Sequence, residues 1–375
     1  MGFHGAALPD FPWDTLNAAR AVAHAHPGGI VDLSVGTPVD PTPAVARQAL
    51  AAASDRPGYP ATIGTPALRE AMVRWFARRR GVRLGVDEVL PTIGSKELVA
   101  HLPSLLGLGE GDVVVHPGAA YPTYDVGARL AGATPLPSDD QPEAWPAATR
   151  LVWLNSPGNP HGHVAGVEQL RRVVAWARPR GVVVASDECY AELAWEEPWA
   201  SAGVPSLLDD RVCDGDHTGL LVAYSLSKQS NLAGYRAALL AGDRALIAPI
   251  REIRKHSGMM MPGPVQDAMA AVLDDDAHVA EQRERYRRRR GVLADAVARA
   301  GFRLDPLSVA GLYLWARADA SSTRIVDALA ARGILVAPGT FYGSANDGYV
   351  RMALSASDER IAAAAERLAA EPLSW

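Results

Sequence analysis

Lysine is the scarcest charged residue in this chain: it occurs only at Lys96, Lys228 and Lys255, and arginine supplies the rest of the 37 Lys+Arg. Arginine cannot replace lysine where a deprotonated amine is needed, because its guanidinium stays charged. Each of the three lysines is therefore a candidate for a special role. Cysteine is scarcer still. Cys189 and Cys213 match no metal-ligand spacing and fit a reducing compartment, so no metal site is expected. No apolar run approaches the roughly 18 residues of a membrane-spanning helix. The opening stretch "MGFHGAALPDFPWDTL" lacks the basic and apolar blocks of a secretory leader, and Ala6 stands where a myristoylation pattern wants Ser or Thr. A cytoplasmic protein is the expectation. A net charge of −5 argues against nucleic acid as the main partner. There is no GxxxxGK[ST], GxSxG or HExxH, which leaves P-loop, α/β-hydrolase and zincin chemistry without support.

The 375 residues, 48% hydrophobic, suffice for a large core or two domains. The middle of the chain alternates short Val/Leu runs, such as "DVVVH", "RLVWLN", "GVVVASDE", "GLLVAYSLS" and "RAALLAG", with amphipathic stretches such as "GVEQLRRVVAWARPRG". Continuous apolar strands separated by helices predict an α/β fold with a mainly parallel sheet covered on both faces. From about residue 275 the pattern changes to a long charged helix, then the strands "LYLWAR" and "YVRMALS" around another helix, which predicts a smaller α+β unit. The expected division is residues 1–40 packing with the small unit, 41–280 as the large domain and 281–375 as the small one. The arginine run 287–290 reads as one face of the charged helix rather than a nucleic-acid patch, because Glu281 and Glu284 lace it. "GLGEGD" at 107–112 follows a helix and precedes a strand, the reverse of a dinucleotide-binding turn, and reads as a helix cap.

Ligands of open α/β sheets sit beyond the carboxyl ends of the strands. There the chain places "NSPGNPHG", "SDECY" and "SLSK". Asp187 closes an apolar strand, where it either fixes the next turn or pairs with a protonated ring nitrogen. Tyr190 and Asn159 are placed to meet an oxygen of the same ring. Ser225, Ser227 and Arg236 bracket Lys228 as a phosphate cradle, and Gly94 and Ser95 open a second helix N-terminus suited to an anion. Together these features ask for a phosphorylated aldehyde with a ring nitrogen, namely pyridoxal phosphate.

"SLSKQSNLAGYR" resembles the Schiff-base signature of class I/II aminotransferases of PLP fold type I, with arginine eight positions after lysine. "VGTPVDP", "YPATIGTPALRE", "AYPTYDVG", "NSPGNPHG", "SDECY", "AGLYLW" and "YVRMALS" extend the resemblance over nearly the whole chain. It implies an aspartate-aminotransferase-like α/β fold with Lys228 as covalent catalyst and proton carrier. Asp187 would hold the ring-nitrogen proton, Tyr190 and Asn159 the ring oxygen, and Tyr121 the ring face. Ser95, the backbone around Lys96, Ser225 and Arg236 would take the phosphate, joined by Tyr59 from a second subunit, so the resemblance implies a homodimer. Arg351 would grip the substrate α-carboxylate, with Gly36 offering backbone. The family's usual Asn-Pro-Thr-Gly is Asn159-Pro160-His161-Gly162 here; His161 either touches substrate or is a satisfied loop histidine.

"FPWDTL", "VDLSVGTPVDP", "CDGDHTGLL" and "GILVAPG" look like actinobacterial N-succinyldiaminopimelate aminotransferases. That resemblance implies amino transfer between glutamate and N-succinyl-2-amino-6-oxopimelate in lysine and diaminopimelate biosynthesis. The competing expectations are an aminotransferase for aspartate, aromatic residues or a natural-product intermediate, and a β-lyase on the same scaffold. Lys96 reads as part of the phosphate or substrate region, and Lys255 has no assigned role.

Overall fold

The computed structural model describes residues 8–139, 141–370 and 373. Ala6 lies outside the described residues, as does the myristoylation reading that rests on it. In chain order the strands are β1 (Val31–Asp32), β2 (Val89–Ile93), β3 (Val113–His116), β4 (Thr134–Pro137), β5 (Thr149–Asn155), β6 (Val183–Asp187) and β7 (Leu220–Ser225), then β8 (Ala237–Gly242), β9 (Arg303–Leu304), β10 (Tyr313–Arg317), β11 (Ile334–Leu335), β12 (Ala337–Pro338) and β13 (Tyr349–Ala353). Seven of them form one sheet in the order β2-β8-β7-β6-β5-β3-β4. Within it β8 alone runs against its neighbours, and the other pairs are parallel.

The strand sequences explain this placement. Every residue of β7 and β8 is buried, as expected of strands covered on both faces. Alternation still sorts their side chains: Leu220, Val222 and Tyr224 enter one core cluster, and Leu221 and Ala223 enter another on the opposite face. Val152 and Val184 join the first cluster, and Trp153 and Ala185 the second. The α/β reading of the middle of the chain is thus the observed architecture. No described helix is long and apolar enough to cross a membrane.

A four-stranded antiparallel sheet, β12-β13-β10-β9, carries the C-terminal part of the chain. The N-terminal segment joins it. Strand β1 pairs in parallel with β11, Leu33 receives a bond from Ala353 N–H, and Leu16, Ala19, Ala23 and Val31 share a core with Leu314, Ile334 and Val350. The long helix Ala277–Arg299 connects the two sheets. Its arginine run has two outcomes. Arg287 and Arg288 pair with Glu284 near solvent, whereas Arg289 is buried and bridges Asp40 at 2.7 Å and Asp358 at 2.5 Å. The run is thus a helix face, as expected, with Arg289 an internal clamp and Arg290 paired with Glu196 at 3.0 Å.

Two further buried pairs fix the edge of the large sheet. Glu188, just past β6, binds Arg80 at 2.8 Å and also accepts from Ser206 Oγ at 3.1 Å and Leu207 N–H at 2.8 Å. Arg254 grips Glu97 with two bonds of 2.7 and 2.9 Å, tying the helix Ser95–Leu105 to the helix Arg244–His256. Removing one partner of a buried pair leaves a desolvated charge behind, at a cost of about 3–5 kcal/mol. Arg80→Met is therefore expected to lower the urea-unfolding free energy by about that amount; a loss under ~1 kcal/mol would show that Glu188 is adequately satisfied without it.

Candidate active site

The register of the large sheet brings the predicted residues to one edge. Asn155 lies opposite Asp187, and Asp187 opposite Ala223. Because β8 is reversed, its start meets the end of β7, with Ser225 opposite Ala238, and the end of β2, with Ile93 opposite Ala237. Gly94 and Ser95, Asn159, Asp187, Ser225, Lys228 and Arg236 thus all follow strand ends, or precede the reversed strand, along a single border.

At one end of this border is an anion cradle. Gly94 has φ +89°, and a Cβ there would overlap the Arg236 guanidinium. Only glycine accepts that backbone and that neighbour together. Ser95 then opens an 11-residue helix whose first N–H groups face this point. Ser225 caps the Lys228 turn by accepting from Ser227 N–H at 3.2 Å, and its hydroxyl donates to Ser227 Oγ at 2.9 Å. Arg236 sits in the left-handed region at φ 57°, uncommon for a non-glycine residue, with Nη1 on Ala233 O at 2.9 Å. Lys96 is half-buried beside it, its ammonium 5.0 Å from the Phe11 ring centre. Burial and the Arg236 charge hold its pKa below the ordinary lysine range.

The other end is acidic. Asp187 is buried, and its carboxylate accepts from Tyr124 Oη at 3.0 Å and Cys189 N–H at 3.1 Å, with no cationic partner among the described residues. Burial raises its pKa, and the hydrogen bonds from Cys189 and Tyr124 oppose that rise. The Cys189 thiol interacts with both Asp187 and Ser95 and feels the charge of Lys228, so these three groups face one small volume. Tyr121 lines it too, edge-on to Tyr124 at 6.0 Å, with its phenol pushed up to about 12 by burial.

Lys228 lies between the two ends. Its Nζ donates to the Gly36 carbonyl, and burial pushes its pKa down from the ordinary lysine value. Facing it from the small sheet is Arg351, 2% exposed, with Nη1 on Asn159 Oδ1 at 2.9 Å and Nη2 on Ser34 O at 2.8 Å. Its Nε is buried without a partner, and no carboxylate pairs with it among the described residues. Burial opposes its charge, but the phenols of Tyr313, Tyr342 and Tyr190 outweigh this and raise its pKa. Tyr190 Oη lies 3.1 Å from Tyr313 Oη.

These features fit pyridoxal phosphate: an anion cradle, a primary amine, a buried carboxylate without a cation and two phenols converge in one pocket. The family profile "Aminotransferase class I and II" matches residues 29–368. The chain belongs to the class I and II aminotransferases. It is accordingly a pyridoxal-phosphate-dependent enzyme with an aspartate-aminotransferase-like fold. It is 58% identical over 364 residues to a probable aminotransferase of Mycobacterium tuberculosis, covering 97% of this chain and 86% of that one. It is 55% identical over 361 residues, 96% and 99% of the two chains, to the 4-dedimethylamino-4-oxo-anhydrotetracycline transaminase OxyQ of Streptomyces rimosus. An LL-diaminopimelate aminotransferase of Aquifex aeolicus is 32% identical over 96% of each chain. Among solved structures, an aminotransferase of Neisseria meningitidis superposes with TM-score 0.87 at 28% identity, over 98% of this chain and 99% of that one.

Tyr59, expected to reach the site of a second subunit, is 99% exposed. His161 packs on Gly158 and accepts from His163 N–H at 3.0 Å, while His163 meets Asp305 at 2.8 Å. Burial and the neighbouring His163 push the His161 pKa down to about 3, a satisfied loop histidine rather than a titrating one. Lys255 forms an exposed 3.7 Å pair with Glu252. Four pocket residues escaped the sequence reading: Ser34, Tyr124, Tyr313 and Trp13, whose ring lies 5.8 Å from Arg351. The spacing Tyr121-x-x-Tyr124, straddling the start of the helix Thr123–Leu130, was the available signal for the second. Gly94→Ala, which places a methyl in the Arg236 guanidinium, is expected to weaken pyridoxal phosphate retention about tenfold or more in equilibrium dialysis; unchanged retention would remove Gly94 from the cradle.

Proposed function

We propose that this aminotransferase moves the amino group between N-succinyl-LL-2,6-diaminopimelate and 2-oxoglutarate, giving N-succinyl-2-amino-6-oxopimelate and glutamate. The observation that carries the amino-acid reading is Arg351, a buried guanidinium without a carboxylate, placed toward the lysine. A guanidinium fork matches a carboxylate bidentately, so an α-amino acid supplies what the site lacks. Pyridoxal phosphate, when bound, supplies an aldehyde that condenses with amines and a ring that withdraws electrons from the substrate α-carbon.

The chain's own residues do the rest. The first N–H groups of the Ser95 helix, Ser225 and Arg236 bind the phosphate, and Asp187 holds the proton on the ring nitrogen. Tyr190 donates to the ring oxygen. Asn159, whose Oδ1 is engaged by Arg351, offers its Nδ2 to the same oxygen. Tyr121 covers the ring face. Lys228 Nζ is the covalent anchor and the base that carries the substrate α-proton. Gly36 lends its carbonyl to hold Lys228 Nζ and its backbone to the substrate. We place the division of labour as residues 1–40 with the small domain, 41–280 around the cofactor and 281–375 as the small domain. The exposed phenol of Tyr59 would complete the phosphate site of a second copy in a homodimer.

The substrate choice draws on the resemblance of several stretches to succinyldiaminopimelate enzymes and on relatives named for LL-diaminopimelate. A long polyanionic substrate needs a cation besides Arg351, and Lys96 is half-buried at the cradle with no acidic partner among the described residues. The 55% identity to OxyQ favours one second reading, a ketone of natural-product biosynthesis.

With 2-oxoglutarate as acceptor, kcat/KM for N-succinyl-LL-2,6-diaminopimelate is expected to exceed that for aspartate or phenylalanine by about 100-fold or more; no turnover of the succinyl substrate would sink the assignment. Lys228→Ala is expected to abolish transamination and the borohydride-sensitive yellow colour without unfolding, and Asp187→Ala to cripple turnover while keeping some colour. The pH dependence has a definite sign. Burial favours the neutral amine, so Lys228 gives up its proton at lower pH than free lysine. Colour recovery of apoprotein on adding pyridoxal phosphate is expected to quicken with rising pH and level off below ~10.4, the free-lysine value; a rate still climbing beyond it would contradict the low pKa.

A further inference from the structure

Tyr313 belongs to no motif role so far assigned, yet it touches Arg351, Tyr190 and Gly36 at once. It opens β10, which pairs antiparallel with β13, Tyr313 opposite Ala353 and Trp315 opposite Arg351. Tyr313 and Arg351 are thus diagonal neighbours on one face of the small sheet, close enough for a ring and a long side chain to meet. They do meet: the guanidinium carbon lies 3.9 Å from the ring centre, closer than to Tyr342 at 5.0 Å or Trp13 at 5.8 Å. A desolvated guanidinium on an aromatic face is attracted to it and also kept flat against it. Of its nitrogens, Nη1 and Nη2 are tied to Asn159 and Ser34, and Nε is left open.

The hydroxyl of the same residue has a second task. It lies 3.1 Å from Tyr190 Oη, with the two rings 5.7 Å apart and inclined at 68°. It also rests on Gly36, where a Cβ would overlap it, and the Gly36 carbonyl takes the Lys228 ammonium. Burial pushes the Tyr313 phenol up in pKa, and the cations Arg351 and Lys228 more than offset this and bring it below the ordinary tyrosine value.

We propose that Tyr313 is a two-part positioning residue: its ring seats Arg351 for carboxylate capture, and its hydroxyl aims the Tyr190 phenol at the cofactor ring oxygen. This rests on the roles given above to Arg351 and Tyr190. The parts separate by substitution. In Tyr313→Phe the seat stays and the aim goes; in Tyr313→Leu both go.

The holoenzyme's visible absorbance titrated against pH reads the aim, because Tyr190 donating to the ring oxygen stabilises its anion and lowers the midpoint. KM for the amino donor, set against kcat, reads the seat. Tyr313→Phe is expected to raise the absorbance midpoint by roughly 0.5–1 pH unit, to leave KM within about threefold, and to add nothing to the shift of Tyr190→Phe in the double variant. Tyr313→Leu is expected to show the same midpoint shift and a KM raised about tenfold or more. Should it fail to fold by circular dichroism, Tyr313→Met carries the same expectations. A midpoint unmoved in Tyr313→Phe but moved in Tyr190→Phe would overturn the aiming role. A normal KM in Tyr313→Leu beside a raised KM in Arg351→Lys would overturn the seating role. If Arg351→Lys and Tyr190→Phe are themselves silent, the underlying reading falls, and this one with it.

Discussion

Charge held away from water without an opposite charge is the constraint around which this molecule is arranged. Arg351 and Asp187 are buried and Lys228 is partly buried, and none has an ion-pair partner among the described residues. Desolvating an ion costs several kcal/mol, so such groups persist only where the surroundings fix them. Here they are fixed by neutral groups. Carbonyls of Ser34 and Gly36, the amide of Asn159, the phenol of Tyr124 and the ring of Tyr313 solvate them with oriented dipoles and π density. A ligand carrying both a carboxylate and a protonated ring nitrogen would supply the missing opposite charges, which is a form of preorganisation.

Conventional ion pairs take the supporting positions. Arg80 with Glu188 holds the turn after Asp187, Arg254 with Glu97 holds the helix that Ser95 opens beside Arg236, and Arg289 joins Asp40 and Asp358. Each lies within a few residues of a pocket element, and none contributes its own charge to the pocket. The arginine-rich composition finds its use here, since a planar guanidinium can satisfy two acceptors at once where an ammonium cannot.

The large sheet was legible because its strands are buried on both faces and read as unbroken Val/Leu runs. The strand-end residues were legible for a related reason: a polar residue closing an apolar run, as Asp187 does, either fixes the next turn or meets a ligand, and its bond from Cys189 N–H shows the first. Less visible was anything depending on pairs distant in sequence. Tyr313 reaches Arg351 only because β10 and β13 happen to be neighbours in a particular register, and Ser34 reaches it only through the β1–β11 pairing. No local pattern carries that information. Arg289 shows the same limit in reverse, since periodicity gave the helix correctly but could not single out which arginine of four turns inward.

The reversal of β8 turns chain length into a ruler. Because this strand starts where β7 ends, Lys228 and Arg236 are separated by a connection that never leaves the pocket rim. One helical turn, a buried bend at 230–232 with Asn231 in the left-handed region, a short 3-10 segment and the left-handed Arg236 fill it. Since neighbouring strand residues point to opposite faces, lengthening it by one would either displace the guanidinium from Gly94 or turn the whole of β8 inside out. Gln229, Ser230, Asn231 and Leu232 along that connection are buried as well, so it is constrained in the kind of its side chains as much as in their number.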